Sequence, residues 1–431
     1  MIRFIYNLLW PIGLLVFLPG YLVKMFRRGG YREKFGQRLG FYDAVVRDRL
    51  ARQNSTWLHA VSVGEVSIAL KLARQLRTLQ PNLACVLTTT TTTGFSFARK
   101  NAPSWMEVMY MPLDFWPIMR RAFAVIRPDR IVLVEAEVWP NLVARAHRRV
   151  VPIALVNARL SPRSEKRFLR FVRFVGPIFR RLDLICVPEI GDVERWRALG
   201  VRRERIRPVG SVKYDSSDLE VRMEIQEIGM FHLSPLHPAN LVLLGGSTHQ
   251  GEEELLAQVF VKLRQQFPSL CLFLAPRHVE RVREIRKRLE ARGLVVRFSS
   301  EAATDPDAKP DCVLLDKTGE LQLWYGIATV AFVGKSLTAH GGQNPVEPVV
   351  AGVPVIFGPN MENFARLAQE LVAKKGAIEV HDAVSLERAI QDLLADSGAR
   401  RSLVENAEEV ISQHRGATAR TARLIADLAK L

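Results

Sequence analysis

Cysteine is scarce in this sequence, with four in 431 residues. Cys85, Cys186, Cys271 and Cys312 lie far apart, each within an apolar run, and no C-x-x-C or Cys/His spacing accompanies them. A disulfide framework and a structural zinc site are therefore disfavoured, and we expect inert core cysteines in a reducing compartment.

The common nucleotide-binding signatures are absent as well. The sequence contains neither G-x-G-x-x-G nor G-x-x-x-x-G-K-[ST], and the "VGKS" at 333–336 lacks the earlier glycine because position 329 is Thr. Dinucleotide redox chemistry and ATP hydrolysis are therefore disfavoured, and we interpret "VGKS" as the end of a strand.

Acidic residues are few in the first half of the chain. The formal net charge is +17, and it is +18 for residues 1–200 against −1 for residues 201–431. A charge confined to one half indicates an anionic partner held by that half: nucleic acid, a membrane surface or an acidic substrate. With 48% hydrophobic residues, the length predicts two or three globular domains.

Charge is also missing from residues 4–23, "FIYNLLWPIGLLVFLPGYLV", a length of helix that can cross a hydrocarbon layer despite its Pro and Gly residues. Basic residues dominate the following flank, 24–38, which predicts a cytoplasmic location for the rest of the chain. A cleaved signal peptide is the alternative, but only Arg3 precedes the run and no A-x-A-like site follows. We expect one N-terminal anchor, spanning or half-inserted.

A basic stripe is present at 161–182. Arg163, Lys166, Arg170 and Arg173 recur at steps of three, four and three, so they share one face of a predicted helix that Gly176-Pro177 should bend or end. The opposite side gathers apolar residues, namely Phe168, Phe171, Val172, Val175 and Phe179. The helix can lie in a lipid headgroup layer or pack its Phe side on the core, and the pattern leaves both open.

Short apolar runs alternate with amphipathic helical stretches from residue 55 and, after a polar connection, again from residue 241. This pattern predicts two α/β domains with parallel, doubly wound sheets and a cleft between the carboxyl ends of their strands. The predicted organisation is an anchor and basic flank (1–30), a first, acceptor domain (31–215), a linker (216–238), a second, donor domain (239–415) and a C-terminal helix (416–431).

Carboxylates follow two strands of the first domain. A strand ends at Gly64 and a helix begins near Glu65, which places this side chain at the carboxyl edge as a general base or as a helix cap. Glu135 and Glu137 follow another strand, and alternation predicts that they point to the same side. They should raise the pKa of Glu65, while the helix N-terminus lowers it.

Three loops of the second domain indicate a nucleotide site. Arg277 and His278 follow a strand, "HGGQNPVEP" at 340–348 precedes an apolar helix, and "KTGE" at 317–320 lies at the same edge. Glu347 could accept hydrogen bonds from a ribose diol. The acids of "GSTHQGEEE" (246–254) are explained by helix capping alone.

Many stretches, in order, resemble the 3-deoxy-D-manno-octulosonic acid (Kdo) transferases, which move Kdo from CMP-Kdo to a lipid A precursor. They include "YREKFGQRLGFY" (31–42), "HAVSVGE" (59–65), "EAEVWPN" (135–141), "NARLSPRS" (157–164), "GSVKYD" (210–215), "GELQLWYGIATVAFVG" (319–334) and "FGPNMENF" (357–364). The resemblance implies a GT-B fold, two Rossmann-like domains facing a cleft.

The resemblance also implies roles for individual residues. Glu65 matches the proton acceptor, and Glu135 and Lys213 match positions that stabilise the transition state. The CMP-binding loops match Pro276, Arg277, Thr318, Gly319, Glu320, Asn344, Pro345, Val346 and Glu347. Lys335 and Gln343 depart from the usual Gly and His, which bears on donor preference.

The expected reaction is an inverting transfer at the cytoplasmic face of the inner membrane, without metal or cofactor other than the donor substrate. The expected partners are the anionic lipid A precursor and the membrane, contacted by Arg163, Lys166, Arg170 and Arg173, with no nucleic acid and with a monomeric enzyme. Two alternatives are a GT-B transferase that uses another nucleotide sugar and a membrane-tethered protein that binds nucleic acid or anionic lipid. The last lacks the aromatic and basic motifs of known RNA- or DNA-binding modules.

Overall fold

The computed structural model describes residues 6–8, 10, 34–52, 54–215, 241–301, 310–317 and 319–428. The chain forms two compact units, the first from Met1–Asp215 with His414–Leu431 and the second from Ser216–Gln413. The predicted linker and most of the predicted anchor lie outside the described residues. Among the helices that are described, none is long and apolar enough to cross a membrane.

A seven-stranded sheet forms the centre of the first unit, with the spatial order β3-β2-β1-β4-β5-β6-β7 and parallel pairing throughout. The strands are β1 (Ser55–Ala60), β2 (Cys85–Thr89), β3 (Met106–Tyr110), β4 (Pro128–Val134), β5 (Ile153–Val156), β6 (Leu184–Val187) and β7 (Ile206–Pro208). The chain direction across the sheet reverses between β1 and β4. In such sheets, ligands bind outside the carboxyl ends of the strands at this switch point.

Helices cover both faces of this sheet. They are α1 (Ala44–Ala51), α2 (Val63–Leu79), α3 (Thr92–Asn101), α4 (Trp116–Ile126), α5 (Pro140–Arg148), α6 (Pro162–Arg170), α7 (Val172–Phe179), α8 (Gly191–Ala198) and, from the chain end, α16 (Ala417–Leu428). Alternation along β1 sends Leu58 into the core beneath α2, α3 and α16, and Trp57 into the core beneath α1, α4, α5 and α8. Strands covered on both faces are mostly apolar, which explains the continuous apolar runs in the sequence.

The basic stripe forms two helices rather than one. The break lies at Phe171, between α6 and α7, and not at Gly176-Pro177, because Pro177 lies inside α7. Phe168 and Phe179 meet edge to face with their ring centroids 5.3 Å apart. Eleven residues along one straight helix would separate them by about 16 Å, so the break is what lets both rings pack on the same core.

The C-terminal helix α16 is part of the first unit, whereas the sequence interpretation kept 416–431 separate from both domains. Asp215 accepts hydrogen bonds from Gly416 N (2.8 Å) and Thr418 N (2.6 Å), at the start of the helix. The buried Arg130 donates to Ile425 O (3.2 Å). These contacts attach the helix to the segment that follows β7 and to β4.

The second unit is built on another seven-stranded parallel sheet, in the order β10-β11-β9-β8-β12-β13-β14. Its strands are β8 (Leu241–Thr248), β9 (Leu270–Pro276), β10 (Val296–Phe298), β11 (Cys312–Leu314), β12 (Val330–Val333), β13 (Val355–Phe357) and β14 (Ile378–Glu379). Its switch point lies between β8 and β12.

The helices of the second unit are α9 (Glu252–Leu263), α10 (Val282–Glu290), α11 (Leu321–Tyr325), α12 (Val346–Val350), α13 (Ala365–Ala373), α14 (Ala383–Ala395) and α15 (Ser397–Ser412). They cover cores on both faces of the sheet. The four cysteines carry free thiols, and Cys85, Cys186 and Cys312 are buried, as the apolar runs around them predict.

Candidate functional site

The carboxyl edge of the first sheet brings charged side chains together around the switch point. Glu65 follows β1, Glu135 follows the neighbouring β4, and Arg159 follows β5. Lys213 follows β7 and lies close enough to Glu135 for each charge to act on the pKa of the other. The structure thus brings Glu65, Glu135 and Lys213, which the resemblance implies as site residues, to one edge of the sheet.

Glu65 is held in place by a capping box at the start of α2. Its carboxylate accepts hydrogen bonds from Val61 N (2.9 Å), Ser62 N (3.3 Å) and Ser62 Oγ (2.9 Å), while Ser62 Oγ accepts from Glu65 N (3.3 Å). The side chain is 9% exposed. The capping interpretation therefore holds, and the same bonds fix the direction of a carboxylate at the ligand-binding edge.

Glu135 adopts an unusual backbone conformation, with φ of 62°, and its N–H donates to Val156 O (2.9 Å). A glutamate in the left-handed region is strained, and such strain is concentrated at functional sites. Since β4 ends at Val134, the strand alternation that we assumed for Glu135 and Glu137 does not apply to this turn.

Burial and the charge of Glu65 raise the pKa of Glu135, which Arg159 and Lys213 lower in part. The same two causes, with Glu135 as a further contribution, raise the pKa of Glu137 to about 7. Both acids that follow β4 therefore have raised pKa values. Near neutral pH, Glu137 exchanges a proton readily.

Lys213 lies beside a second cation. Burial and the charge of Arg159 lower its pKa, and Glu135 raises it. Arg159 Nη1 donates to Tyr214 Oη (3.0 Å), and the guanidinium lies 4.8 Å from the centroid of that ring. Ser211 N in turn donates to His414 Nδ1 (3.2 Å), so α16 and its preceding turn help to place this segment.

Arg159 was missed as a site residue, although it stands in "NARLSPRS". The signal was available, because the residue directly follows the apolar run of β5 and therefore lies at the same carboxyl edge. His414 carried no such signal, since it lies about 200 residues from Ser211 in the sequence.

The second unit contains a cavity of about 350 Å³ at the carboxyl ends of β8, β9 and β11, a volume within the range of about 300–1,000 Å³ typical of small-molecule sites. Its lining residues are Ser247, Ala275, Pro276, Arg277, Val279, Leu315, Lys317, Gly319, Leu321, Gln322, Tyr325, Gln343, Asn344 and Glu347. Two cationic side chains and one carboxylate thus border it.

The predicted CMP-binding residues divide into three groups. Pro276, Arg277, Gly319, Asn344 and Glu347 line the cavity. Glu320, Pro345 and Val346 are adjacent in sequence to lining residues but are not among them, and Thr318 lies outside the described residues. Lys317 belongs to the predicted "KTGE" loop, whereas Ser247, Gln322 and Tyr325 were not predicted, because a strand end and a helix far apart in sequence supply them.

The loop before α12 arranges its own polar groups. Asn344 Nδ2 donates to Glu347 Oε1 (3.1 Å), and Asn344 Oδ1 accepts from Val346 N (3.1 Å). Burial and the charge of Glu347 raise the pKa of Tyr325. The Asn344 side chain thus orients the Glu347 carboxylate at the cavity.

Gly246 in β8 is required by close packing against the cavity wall. A Cβ at this position would lie 2.1 Å from Tyr325 Oη, closer than atoms can approach. The glycine therefore lets Tyr325 lie against the strand, and the sequence motif "GGSTHQ" has a packing reason at this residue.

Glu252, the first residue of α9, connects two loops of the second unit. Its buried carboxylate accepts hydrogen bonds from the backbone N–H groups of His249 (2.8 Å), Lys335 (2.7 Å), Ser336 (3.0 Å) and Leu337 (3.1 Å). It thereby joins the loops that follow β8 and β12 at the switch point. Capping alone, as the sequence suggested, is an incomplete explanation.

The two departures from the family pattern have different positions. Gln343 lines the cavity, whereas Lys335 does not and instead has a left-handed backbone, with φ of 58°. A glycine at that position would be free of strain, so the departure at Lys335 concerns the loop conformation and the one at Gln343 concerns the ligand.

The residues of the basic stripe are exposed. Arg163, Lys166 and Arg170 lie on α6 and Arg173 lies on α7. The predicted apolar side is split, because Phe168, Val172, Val175 and Phe179 pack against the core while Phe171 is 48% exposed. Packing against the core therefore explains most of the apolar residues of the stripe, whereas its basic residues face solvent.

A family model described as 3-Deoxy-D-manno-octulosonic-acid transferase (kdotransferase) matches residues 33–216. The 3-deoxy-D-manno-octulosonic acid transferase of Haemophilus influenzae is 32% identical over 399 residues, 92% of this chain and 91% of that protein. The transferase of the same name from Bordetella pertussis is 33% identical over 415 residues, 93% of each chain.

Solved structures share the fold at low sequence identity. A UDP-GlcNAc 2-epimerase from Neisseria meningitidis has a TM-score of 0.55 at 10% identity, covering 87% of this chain and 99% of that one. A glycosyltransferase from Rickettsia africae has a TM-score of 0.54 at 9% identity, with 88% and 99% covered. These similarities confirm the predicted GT-B type of two Rossmann-like units. The Haemophilus influenzae and Bordetella pertussis relatives, which are 32% and 33% identical over most of both chains, show that this chain belongs to the 3-deoxy-D-manno-octulosonic acid transferase family.

Proposed function

We propose that this protein transfers Kdo from CMP-Kdo to a phosphorylated lipid A precursor, with inversion at the anomeric carbon and with Glu65 as the general base. The observation that carries the proposal is the Glu65 carboxylate, fixed by Val61 and Ser62 at the switch point of the first sheet. A general base must lie within hydrogen-bonding reach of the proton that it removes, whatever its pKa. The fold fixes the position of this carboxylate.

The proposed first event is removal of a proton from the acceptor hydroxyl. Glu65 takes this proton as the oxygen attacks the anomeric carbon of Kdo. Glu135 places a carboxylate near the developing positive charge of the sugar, and Glu137, with a pKa of about 7, can relay the proton to solvent.

The second unit is proposed to hold the CMP moiety. Arg277 and Lys317 border the cavity and suit the phosphate, while Glu347 suits the ribose diol. Lys213 adds positive charge that stabilises the anionic donor as CMP departs. The basic side chains and backbone N–H groups supply the stabilisation, and the proposal requires no cofactor beyond the donor substrate.

The acceptor side is proposed to work at the cytoplasmic face of the inner membrane. The exposed Arg163, Lys166, Arg170 and Arg173 would contact anionic lipid, with Phe171 and Phe174 (51% exposed) beside them. The predicted N-terminal anchor belongs to the same proposal, as does a monomeric enzyme.

The test begins with the purified full chain, CMP-Kdo and a lipid A precursor, followed by mass measurement of the lipid product. We expect a mass increase by Kdo units and no product with UDP-sugars. Turnover of a UDP-sugar would favour the alternative donor, for which the unusual Gln343 in the cavity lining is the specific observation.

Donor binding is tested separately with Arg277→Gln. Loss of a charge-assisted phosphate contact should weaken CMP binding by roughly 10- to 100-fold. Arg283→Gln is the matched control, because Arg283 is an exposed arginine on α10 outside the cavity lining. Equal CMP affinities of the two variants would remove Arg277 from the donor site.

A further inference from the structure

The first unit contains a cavity of about 990 Å³, which is larger than the cavity of the second unit. It lies on the face of the sheet that α4 and α5 cover. Four arginines line it: Arg120 on α4, Arg145 and Arg148 on α5, and Arg181 just before β6. Because α5 runs from the carboxyl edge of the sheet toward its amino edge, Arg148 lies toward the edge opposite Glu65. Neither the proposed catalytic residues nor Arg163, Lys166, Arg170 and Arg173 line this cavity.

These arginines are unpaired, in contrast with others of the same unit. Arg195 pairs with Glu165 (2.6 Å) and Arg197 with Glu194 (2.9 Å). Over the described parts of the chain, the guanidinium groups of the cavity have no carboxylate or hydrogen-bond partner, and the Nε atom of Arg145 is buried without one.

Mutual repulsion accompanies this lack of partners. Burial, together with the charges of Arg149, Arg120 and Arg148, lowers the pKa of Arg145. Cations gathered in one concave place without anions destabilise the unit by repulsion, and a bound anion would remove that repulsion. The cavity therefore favours a negatively charged ligand.

The other part of the lining is apolar and open to solvent. Leu8 is 61% exposed and Trp116 is 54% exposed, with Phe115 and Met119 beside them. Trp10 stacks on Phe115 with the ring centroids 5.3 Å apart. A ligand with both an anionic group and a hydrocarbon portion can contact the arginines and the apolar residues of this lining. Inorganic phosphate can contact only the arginines.

The N-terminal segment contributes to the same rim. Asn7 and Asn141 exchange side-chain hydrogen bonds of 2.9 Å, which hold Leu8 at the cavity. Leu8 and Trp10 belong to the uncharged run 4–23 of the sequence. The cavity thus combines apolar residues of that run with cations of the folded unit.

We propose that this cavity binds one anionic phospholipid, with its phosphodiester among Arg120, Arg145, Arg148 and Arg181 and the start of its acyl chains against Leu8 and Trp116. Such a lipid is neither donor nor acceptor of the proposed reaction, so the site does not depend on Kdo transfer. Its role is to hold the first unit on a membrane that contains anionic lipid.

The test uses the full chain in non-ionic detergent, titrated with short-chain phosphatidylglycerol and followed by calorimetry. Parallel titrations use short-chain phosphatidylcholine, inorganic phosphate and a bisphosphorylated glucosamine disaccharide. The variant is Arg120→Gln/Arg148→Gln/Arg181→Gln, whose three side chains are exposed. The matched control is Lys71→Gln/Arg74→Gln/Lys100→Gln, with the same charge change on α2 and α3, which cover the opposite face of the sheet.

We expect phosphatidylglycerol to bind and the triple variant to weaken it by roughly 100-fold, at about fivefold per arginine, with the control unchanged. Arg148→Gln alone should show the fivefold loss if the triple variant is poorly folded. Equal weakening by the control, or equal binding of phosphatidylcholine or inorganic phosphate, would overturn the proposal. Tighter binding of the disaccharide would reassign the cavity to the acceptor.

Discussion

The substitution Glu65→Gln separates the two roles that the structure gives to this residue. The carboxylate accepts hydrogen bonds from Val61 N, Ser62 N and Ser62 Oγ, whereas the amide of glutamine keeps a single acceptor oxygen. The variant should lose about 1–2 kcal/mol of unfolding free energy through the weakened cap. Removal of the base should lower turnover by roughly 10²- to 10⁴-fold.

Ser62→Ala is the matched control. It removes the hydroxyl that accepts from Glu65 N (3.3 Å) and donates to Glu65 Oε1 (2.9 Å), so it should destabilise the unit by about 1 kcal/mol. The carboxylate itself remains, and turnover should fall by less than about tenfold, well short of the loss of a general base.

The assay measures turnover at saturating CMP-Kdo and lipid A precursor, the urea denaturation midpoint and CMP affinity for each variant. CMP affinity should be unchanged in both variants, because the cavity that we propose for CMP belongs to the second unit. If Glu65→Gln and Ser62→Ala lower turnover equally, Glu65 is only a cap and the assignment as base is wrong.

Three further predictions concern stability and the cavity. Because the pKa of Glu137 is raised to about 7, the protein should lose stability as the pH rises from about 4.5 to about 7. Glu137→Gln should flatten this part of a plot of melting temperature against pH. An unchanged plot would contradict the raised pKa. In Gly246→Ala, the added Cβ would lie 2.1 Å from Tyr325 Oη. Urea denaturation should show a loss of about 1–3 kcal/mol in the free energy of unfolding, and CMP binding should weaken. Wild-type values for both would refute the packing argument. Lys335→Gly should raise the free energy of unfolding by about 1 kcal/mol, because a φ of 58° is strained for lysine but not for glycine. CMP affinity should be unchanged, since Lys335 does not line the cavity. A loss of affinity would place Lys335 in the donor site.

Two edge strands, β3 and β14, have weak signals in the sequence. Glu107 interrupts the apolar run of β3, and the structure pairs this buried glutamate with Arg49. At the edge of the second sheet, β14 has only two residues, Ile378 and Glu379. Central strands are mostly apolar because they are covered on both faces, although β1 also buries Thr56 and His59. Edge strands need not be apolar.

The basic stripe shows a second limit. Its periodicity grouped Arg163, Lys166, Arg170 and Arg173 on one face of a single helix, whereas the structure divides these four exposed residues between α6 and α7. It could not locate the break at Phe171, because the break depends on Phe179 packing against both Phe168 and Trp196 (5.3 and 5.5 Å between centroids). Long-range ring contacts decided what local helix signals could not.

The sequence by itself determined two α/β units, the strand ends that carry Glu65, Glu135 and Arg277, and the family. Those features depend on local patterns, since an apolar run followed by a polar turn marks the carboxyl end of a strand wherever it lies in the sheet. The uneven charge indicated an anionic partner.

Tertiary structure alone decided which strand ends become neighbours. The order of each sheet brings β1 beside β4 and β8 beside β12, and so places Glu65 near Glu135 and joins the loops held by Glu252. It also gathered Arg120, Arg145, Arg148 and Arg181 around one cavity. Hydrogen bonds and charges act over a few ångströms, and only the folded chain makes residues that are distant in sequence close in space.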